Sequence, residues 1–218
     1  MTSTSRLRLS WLFGLVLALL SACARFSSPE PEPRVAQAPE SSANLVKPGE
    51  RLETAILAGG CFWGMEEILR KVPGVVSTDV GYAGGKPNVT YEDMHHDTSG
   101  NAEAVRVVFD PAKLSYEELL EKWFFRMHDP TTQNRQGNDV GEQYRSVLFV
   151  NSPAQRATAE RVKQRVDKSG VWKRPLVTQI TDQTTFTRAE EYHQKYLVKN
   201  QGGYTCHYLR NFDEVKSY

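Results

Sequence analysis

From residue 54 onward the chain alternates between short apolar runs and segments whose apolar residues return every three or four positions. "AILA" is followed by Gly59 and Gly60, which predicts a first strand over about 54–58 ending in a turn. Counting from Phe62, the residues Met65, Ile68, Leu69 and Val72 recur at helical spacing, with Glu66, Glu67, Arg70 and Lys71 opposite them. That pattern predicts an amphipathic helix with a polar outer face. "GVVSTDVGYAGG" reads as a second strand, "NVTYEDMHHDTSGN" as a polar loop, and the alternation in "AEAVRVVFDP" as a third strand. The clearest helix is "LSYEELLEKWFFRMHDP": Ser115 and Glu118 make a capping box, and Tyr116, Leu119, Leu120, Trp123, Phe124 and Met127 trace one face. "TTQNRQGNDVGEQ" reads as a long polar loop and "YRSVLFV" as a fourth strand. Ser152, Pro153 and Gln155 then open a helix that ends near Gly170. "PLVTQITD" is strand-like, and Thr187 with Glu190 predicts the cap of a last helix. "NQGGYTCHYLRNF" has neither period, and its paired glycines predict a mobile tail. Strands and helices mix without a strict βαβ rhythm, so the expected class is α+β, with helices packed on a mixed β-sheet.

The first fifty residues follow a different pattern. "MTSTSRLRLSWLFGLVLALLSACA" carries Arg6 and Arg8, an apolar run from Leu9 to Leu20, and then small residues, the layout of a secretory signal peptide. The run is shorter than the ~20 apolar residues needed to span a bilayer. "LSAC" at 20–23 resembles a bacterial lipobox, which would make Cys23 the lipidated first residue of the mature protein. Ala24 after it resembles the outer-membrane sorting pattern. Residues 24–50 are dominated by Pro, Glu, Ser and Ala and cannot bury enough apolar surface to fold, so they read as a semi-extended tether. The expected organisation is a signal at 1–23, a tether at 24–50 and one folded domain at 51–218. A net charge of +1 suggests neither nucleic acid nor an anionic surface as a partner.

With Cys23 assigned to a lipid, Cys61 and Cys206 remain. Two cysteines in an oxidising compartment are compatible with one structural disulfide. They are equally compatible with a reactive pair. Cys61 stands at the amino end of the first predicted helix, where unpaired N–H groups and the macrodipole favour a thiolate, followed by two aromatics expected to be exposed. Gly59, Gly60 and Gly64 allow a substrate or a backbone to come close. On the third strand the pleat puts Glu103 on one face with Val105, Val107 and Phe109. A carboxyl on an apolar face holds its proton and can act as an acid, whereas at a sheet edge it would simply reach solvent. His95 and His96, with Asp93 and Asp97 nearby, do not have the fixed spacing of a metal site, and no metal is expected. Tyr91, Asp139 and Tyr144 lie in or beside the polar loops and read singly as surface.

"GCFWG" at 60–64 is similar to the active-site motif of the A-type peptide methionine sulfoxide reductases. The likeness continues through "PGVVSTDVGYAGG", "TYEDM", "NAEAVRVVFDP", "HDP", "RQGNDVGEQYRS" and "YHQKYL", covering essentially residues 54–206. The resemblance implies a two-layer α/β roll with a ferredoxin-like core and an irregular C-terminal tail. It implies that Cys61 attacks the sulfoxide sulfur and that Phe62 and Trp63 form the pocket for the S-methyl group. Glu103 would protonate the sulfoxide oxygen, Tyr91 and Tyr144 would hydrogen-bond that oxygen, and Asp139 would hold substrate or water. Cys206 would recycle Cys61 through a disulfide opened by a thioredoxin-like reductant. No metal or organic cofactor is implied. Two departures stand out: Asn101 replaces a histidine common two positions before the glutamate, and the tail has one recycling cysteine where some relatives have two. The expectation is an envelope-anchored reductase of methionine S-sulfoxide, free or in proteins, facing the periplasm.

Overall fold

The computed structural model describes residues 51–96 and 100–212. Cys23, with the expected signal and tether, lies outside the described residues, as does Asp97. The sheet has six strands: β1 (Glu53–Gly59), β2 (Val75–Ala83), β3 (Ala102–Phe109), β6 (Ser146–Val150), β7 (Gln179–Asp182) and β8 (Phe186–Arg188). A separate hairpin pairs β4 (Arg135–Gln136) with β5 (Asp139–Val140). The sheet order is β7-β6-β1-β3-β2-β8, and every neighbouring pair is antiparallel except β6 with β7. The helices are α1 (Phe62–Leu69), α2 (Tyr91–His96), α3, α4 (Pro153–Lys168) and α5 (Tyr196–Lys199). α3 is continuous in three pieces: Tyr116–Glu118, a π-helical Leu119–Phe124 and Phe125–Met127. This is the α+β architecture expected, a mixed sheet with packed helices.

The two faces of β3 divide as the pleat requires. Val105, Val107 and Phe109 join the main core with Met65 and Leu69 of α1 and with Leu119, Leu120 and Phe124 of α3. Ala102 and Ala104 join a smaller cluster with Ile56, Ala58, Val147 and Phe149 on the opposite face. Removing an aliphatic or aromatic side chain of this kind from water contributes about 1.5–3 kcal/mol, so the α1 stripe alone fixes that helix firmly on the sheet. Two of the three expected caps form: the Ser115 side chain accepts from Glu118 N with the reciprocal bond present, and Ser152 Oγ accepts from Gln155 N.

Several expectations need correction. The polar loop before β3 contains α2, started by a reciprocal pair in which Thr90 N and Oγ1 donate to Asp93 Oδ2 and Asp93 N donates to Thr90 Oγ1. The spacing is that of a capping box, but among its residues with described side chains only Met94 is buried, so no apolar period marks it. The long polar loop folds into the β4–β5 hairpin and a 3₁₀ turn, Glu142–Tyr144. Thr187 and Glu190 cap no helix. Thr187 lies in β8 opposite Tyr82, and the Glu190 carboxylate accepts from Tyr82 OH and Tyr91 N, both at 2.9 Å. Glu66, assigned to the polar face, is buried and accepts from Thr78 Oγ1 and Lys195 N.

The tail is tied down along its length. Arg210 N and Nη1 donate to Arg126 O at the end of α3, and the guanidinium lies between the Trp172 and Tyr208 rings. Trp172 meets Phe212 edge-on and donates to Phe125 O. With His128 Nδ1 donating to Phe124 O, three carbonyls of the last turn of α3, those of Phe124, Phe125 and Arg126, are taken by side chains and by the tail. An absence of secondary structure in this segment therefore goes with several bonds and ring contacts to the rest of the fold.

Candidate active site

The turn from β1 into α1 builds the site. Gly60 adopts φ +106°, and a Cβ there would collide with the Gln136 side chain, so glycine is required on both counts. Gly64 faces the tail, and a methyl group there would overlap Thr205 Oγ1 and stand 2.7 Å from His207 Nδ1. The close approach these glycines permit is therefore that of the C-terminal tail. It brings Cys206 to the N-cap residue Cys61, whose backbone amide stabilises a charge on the Cys206 sulfur. Both cysteines are free thiols.

Cys61 is 6 % exposed, and burial, then the Glu103 carboxylate, push its pKa far above the usual thiol value. The helix start was expected to favour a thiolate. The backbone amide of Trp63 does pull that way, but desolvation outweighs it. Glu103 sits on a central strand, not at an edge, and is 2 % exposed. Burial pushes its pKa up to about 8 against the stabilising bond from Phe62 N–H to Oε2 at 2.9 Å, with the nearby Asp139 charge adding to the rise. At neutral pH both groups hold their protons. The Phe62 amide is thus the physical link that brings the acid of β3 to the thiol of α1.

The two aromatics are less exposed than expected. Phe62 is fully buried against Tyr82, and Trp63 is half-buried, stacked on Tyr196 with ring centroids 3.8 Å apart. Trp63 Nε1 donates to His193 Nδ1 at 3.0 Å, and the His193 ring also packs on Phe62 and Tyr91. Tyr91 and Tyr144 are partly buried, and their hydroxyls are raised by burial and by the charges of Glu103 and Cys61. The fold therefore gathers Cys61, Phe62, Trp63, Tyr91, Glu103, Asp139, Tyr144 and Cys206, residues from six separate segments, around one spot. Asp139 faces the tail: its carboxylate accepts from Tyr204 OH at 3.0 Å and from the Cys206 thiol at 3.2 Å. His96 lies apart at the surface, 3.9 Å from Glu92.

The sequence pattern gives Glu190, His193, Tyr196, Gln136 and His207 no role in the site. Gln136 accepts from Asp129 N and donates to Cys206 O, tying the hairpin to the tail. Three of these stand in or beside "YHQKYL" and one in "RQGNDVGEQYRS", so the motifs held the signal, but no apolar period singled those positions out.

Comparison with known proteins places the chain among similar ones. The family model for peptide methionine sulfoxide reductase matches residues 53–217. A peptide methionine sulfoxide reductase MsrA of Methanosarcina acetivorans is 50 % identical over 184 residues, covering 83 % of this chain and 95 % of the relative. The crystal structure of Mxr1 from Saccharomyces cerevisiae in reduced form superposes with a TM-score of 0.70 at 39 % identity, covering 76 % of this chain and 95 % of that one. Mxr1 in complex with Trx2 matches with a TM-score of 0.52 at 30 % identity, over 76 % and 94 % of the two chains.

Proposed function

The chain belongs to the peptide methionine sulfoxide reductase family and reduces methionine S-sulfoxide to methionine, and we propose that Cys61 and Glu103 carry the chemistry. The observation that carries this assignment is the Phe62 N–H bond to Glu103, which holds a protonated carboxyl beside a buried thiol. The Cys61 sulfur attacks the sulfoxide sulfur while Glu103 gives its proton to the oxygen. The thiol proton returns to the carboxylate; the hydroxyl then leaves the substrate sulfur and adds to the Cys61 sulfur as the S–S bond between the two breaks, so the step closes as sulfoxide plus thiol giving sulfide plus Cys61 sulfenic acid. General acid catalysis suits this reaction because hydroxide is a poor leaving group. Phe62 and Trp63 wall the methyl site, and Tyr91 and Tyr144 bond the oxygen. The sulfenic acid condenses with the Cys206 thiol, releasing water, and a thioredoxin-like dithiol opens the disulfide. The complex of Mxr1 with Trx2 supports a donor of that class. An assay with both sulfoxide epimers tests the reading: only the S epimer should be consumed, and Cys61→Ser should consume neither. Turnover of the R epimer, or by the serine variant, would refute it.

We further propose an envelope lipoprotein, with Cys23 lipidated, residues 24–50 as tether, and the catalytic domain facing the periplasm from the outer membrane. The support is the charged, apolar and "LSAC" order of the first residues. Among the described residues no helix is long and apolar enough to cross a membrane. Cys23→Ala should release the protein from membranes and abolish fatty-acid labelling, and a variant still partitioning with membranes would overturn the anchor.

A further inference from the structure

The reading above makes Cys206 a nucleophile, yet its surroundings hold its proton on. Burial, then the bond to Asp139, push the Cys206 thiol up to about 12. A thiol so poised attacks slowly unless something takes its proton as the S–S bond forms. The next residue supplies a group in place. His207 is buried, and its Nε2 lies 2.8 Å from Gly59 O. A carbonyl only accepts, so Nε2 carries the hydrogen and Nδ1 presents a lone pair. That lone pair lies 3.4 Å from Cys206 Sγ.

We propose that Cys206, His207 and Asp139 form a second catalytic constellation, in which His207 Nδ1 is the general base for disulfide formation. The inference rests on the assignment of Cys206 as the resolving thiol. The Cys206 S–H, which rests on Asp139, turns to His207 Nδ1, and His207 removes the proton as that sulfur attacks the Cys61 sulfur. The S–O bond of the sulfenic acid breaks, and the departing hydroxide takes up one proton to leave as water, balancing the proton lost by the thiol. The Cys206 sulfur is oxidised and the Cys61 sulfur reduced, with no other redox partner. Asp139 orients the thiol in the resting state, and its negative charge favours the imidazolium as it forms. Gly59 keeps the ring in the productive tautomer, the role a third group plays behind any nucleophile–base pair. Among the described residues, the ionisable groups acting on or touching His207 include Cys206, Asp139, His128 and Arg210. Burial, with Arg210 assisting, lowers the His207 pKa to about 4 against the opposing Gly59 bond and Asp139 charge. His128, buried and lowered to about 3, adds no positive charge at neutral pH. The ring is consequently neutral throughout the neutral range, and because so weak a base does not strip the thiol in advance, the proton passes to Nδ1 only as the S–S bond forms.

His207→Gln tests this, because the amide can still donate to Gly59 O while offering no base at the Nδ1 position. In single turnover without reductant, the variant should release methionine at the parental rate. It should form the Cys61–Cys206 disulfide at least tenfold more slowly, within the ~10²–10⁴-fold range of general base catalysis. The parental disulfide rate should be flat across neutral pH, whereas the variant's should climb with pH because free thiolate must then form. Equal disulfide rates with equal pH profiles would overturn the role of His207 while leaving Cys206 as the resolving thiol. Absence of the disulfide in the parent itself would instead remove the assignment of Cys206, and the proposal with it. A profile that turns pH-dependent in Asp139→Asn but not in His207→Gln would make Asp139 the base. Independently of any variant, nitrogen NMR of the parent should show His207 protonated at Nε2 and bare at Nδ1, and the opposite tautomer would refute the proposal.

Discussion

Cys61 and Cys206 are both thiols whose protons are held by burial, but the frameworks around them have little in common. Cys61 is fixed by regular structure: a strand end, a helix start, and a carboxyl delivered from the central strand by a backbone amide. Cys206 is fixed mainly by side chains, with Gln136 on its carbonyl, Asp139 and His207 on its sulfur, and Arg210 clamped farther along. The first arrangement suits a pocket that must keep one shape for a small sulfoxide. The second holds a thiol in place through bonds that can be exchanged singly, which suits a group that must meet first a sulfenic acid and then an external dithiol.

The contrast can be broken at either end. Cys206→Ser should have the largest effect on continuous turnover. Given excess sulfoxide and no thiol able to reach the site, it should release about one equivalent of methionine and stop, leaving a Cys61 sulfenic acid that dimedone traps. Normal turnover with thioredoxin would make the tail merely structural.

Glu103→Gln should slow the first step by ~10²–10⁴-fold with the fold intact, since the amide keeps the bond from Phe62 N–H and gives up no proton. In the parent that step should weaken as pH rises through about 8, where Glu103 loses its proton, and this limb should vanish in the variant. The same raised pKa makes the native state bind the proton more tightly than the unfolded chain between 4.5 and about 8. Its contribution to stability is therefore fully present below that window and is lost as pH rises through it. Denaturant titrations should find the glutamine variant less sensitive to pH across that range.

The smallest effect sharpens the contrast most. Gly64→Ala adds one methyl that meets Thr205 and His207, not the pocket. It should slow disulfide formation about tenfold, roughly the consequence of a small misplacement of reacting groups, and leave methionine release in the first turnover unchanged. Equal slowing of both steps would mean that the tail and the pocket are one mechanical unit.

The same division explains what could be read in the sequence. β1, α1, β3, α3 and α4 bury an apolar stripe or carry standard caps, and their types followed from residue spacing. Glu103 was legible because a lone carboxyl broke an apolar face. α2 and the β4–β5 hairpin bury little, so polar composition concealed them. The proton on Cys61 was not legible because a helix start is local, whereas the burial and the Glu103 carboxyl that override it exist only in the folded chain. His193 and His207 bond to distant segments, at Trp63 and Gly59, and one-dimensional patterns do not record such bonds.

One consequence follows from the meeting of Cys61 and Cys206, which come from opposite ends of the described domain. A disulfide between them would close nearly the whole folded chain into a ring, and in the chain-entropy model a loop of that size disfavours the unfolded ensemble by about 5 kcal/mol. Each catalytic cycle would then alternate between an open chain and a tied one. Oxidised protein should melt at a higher temperature and resist protease longer than reduced protein, so the enzyme would be sturdiest while it waits for electrons.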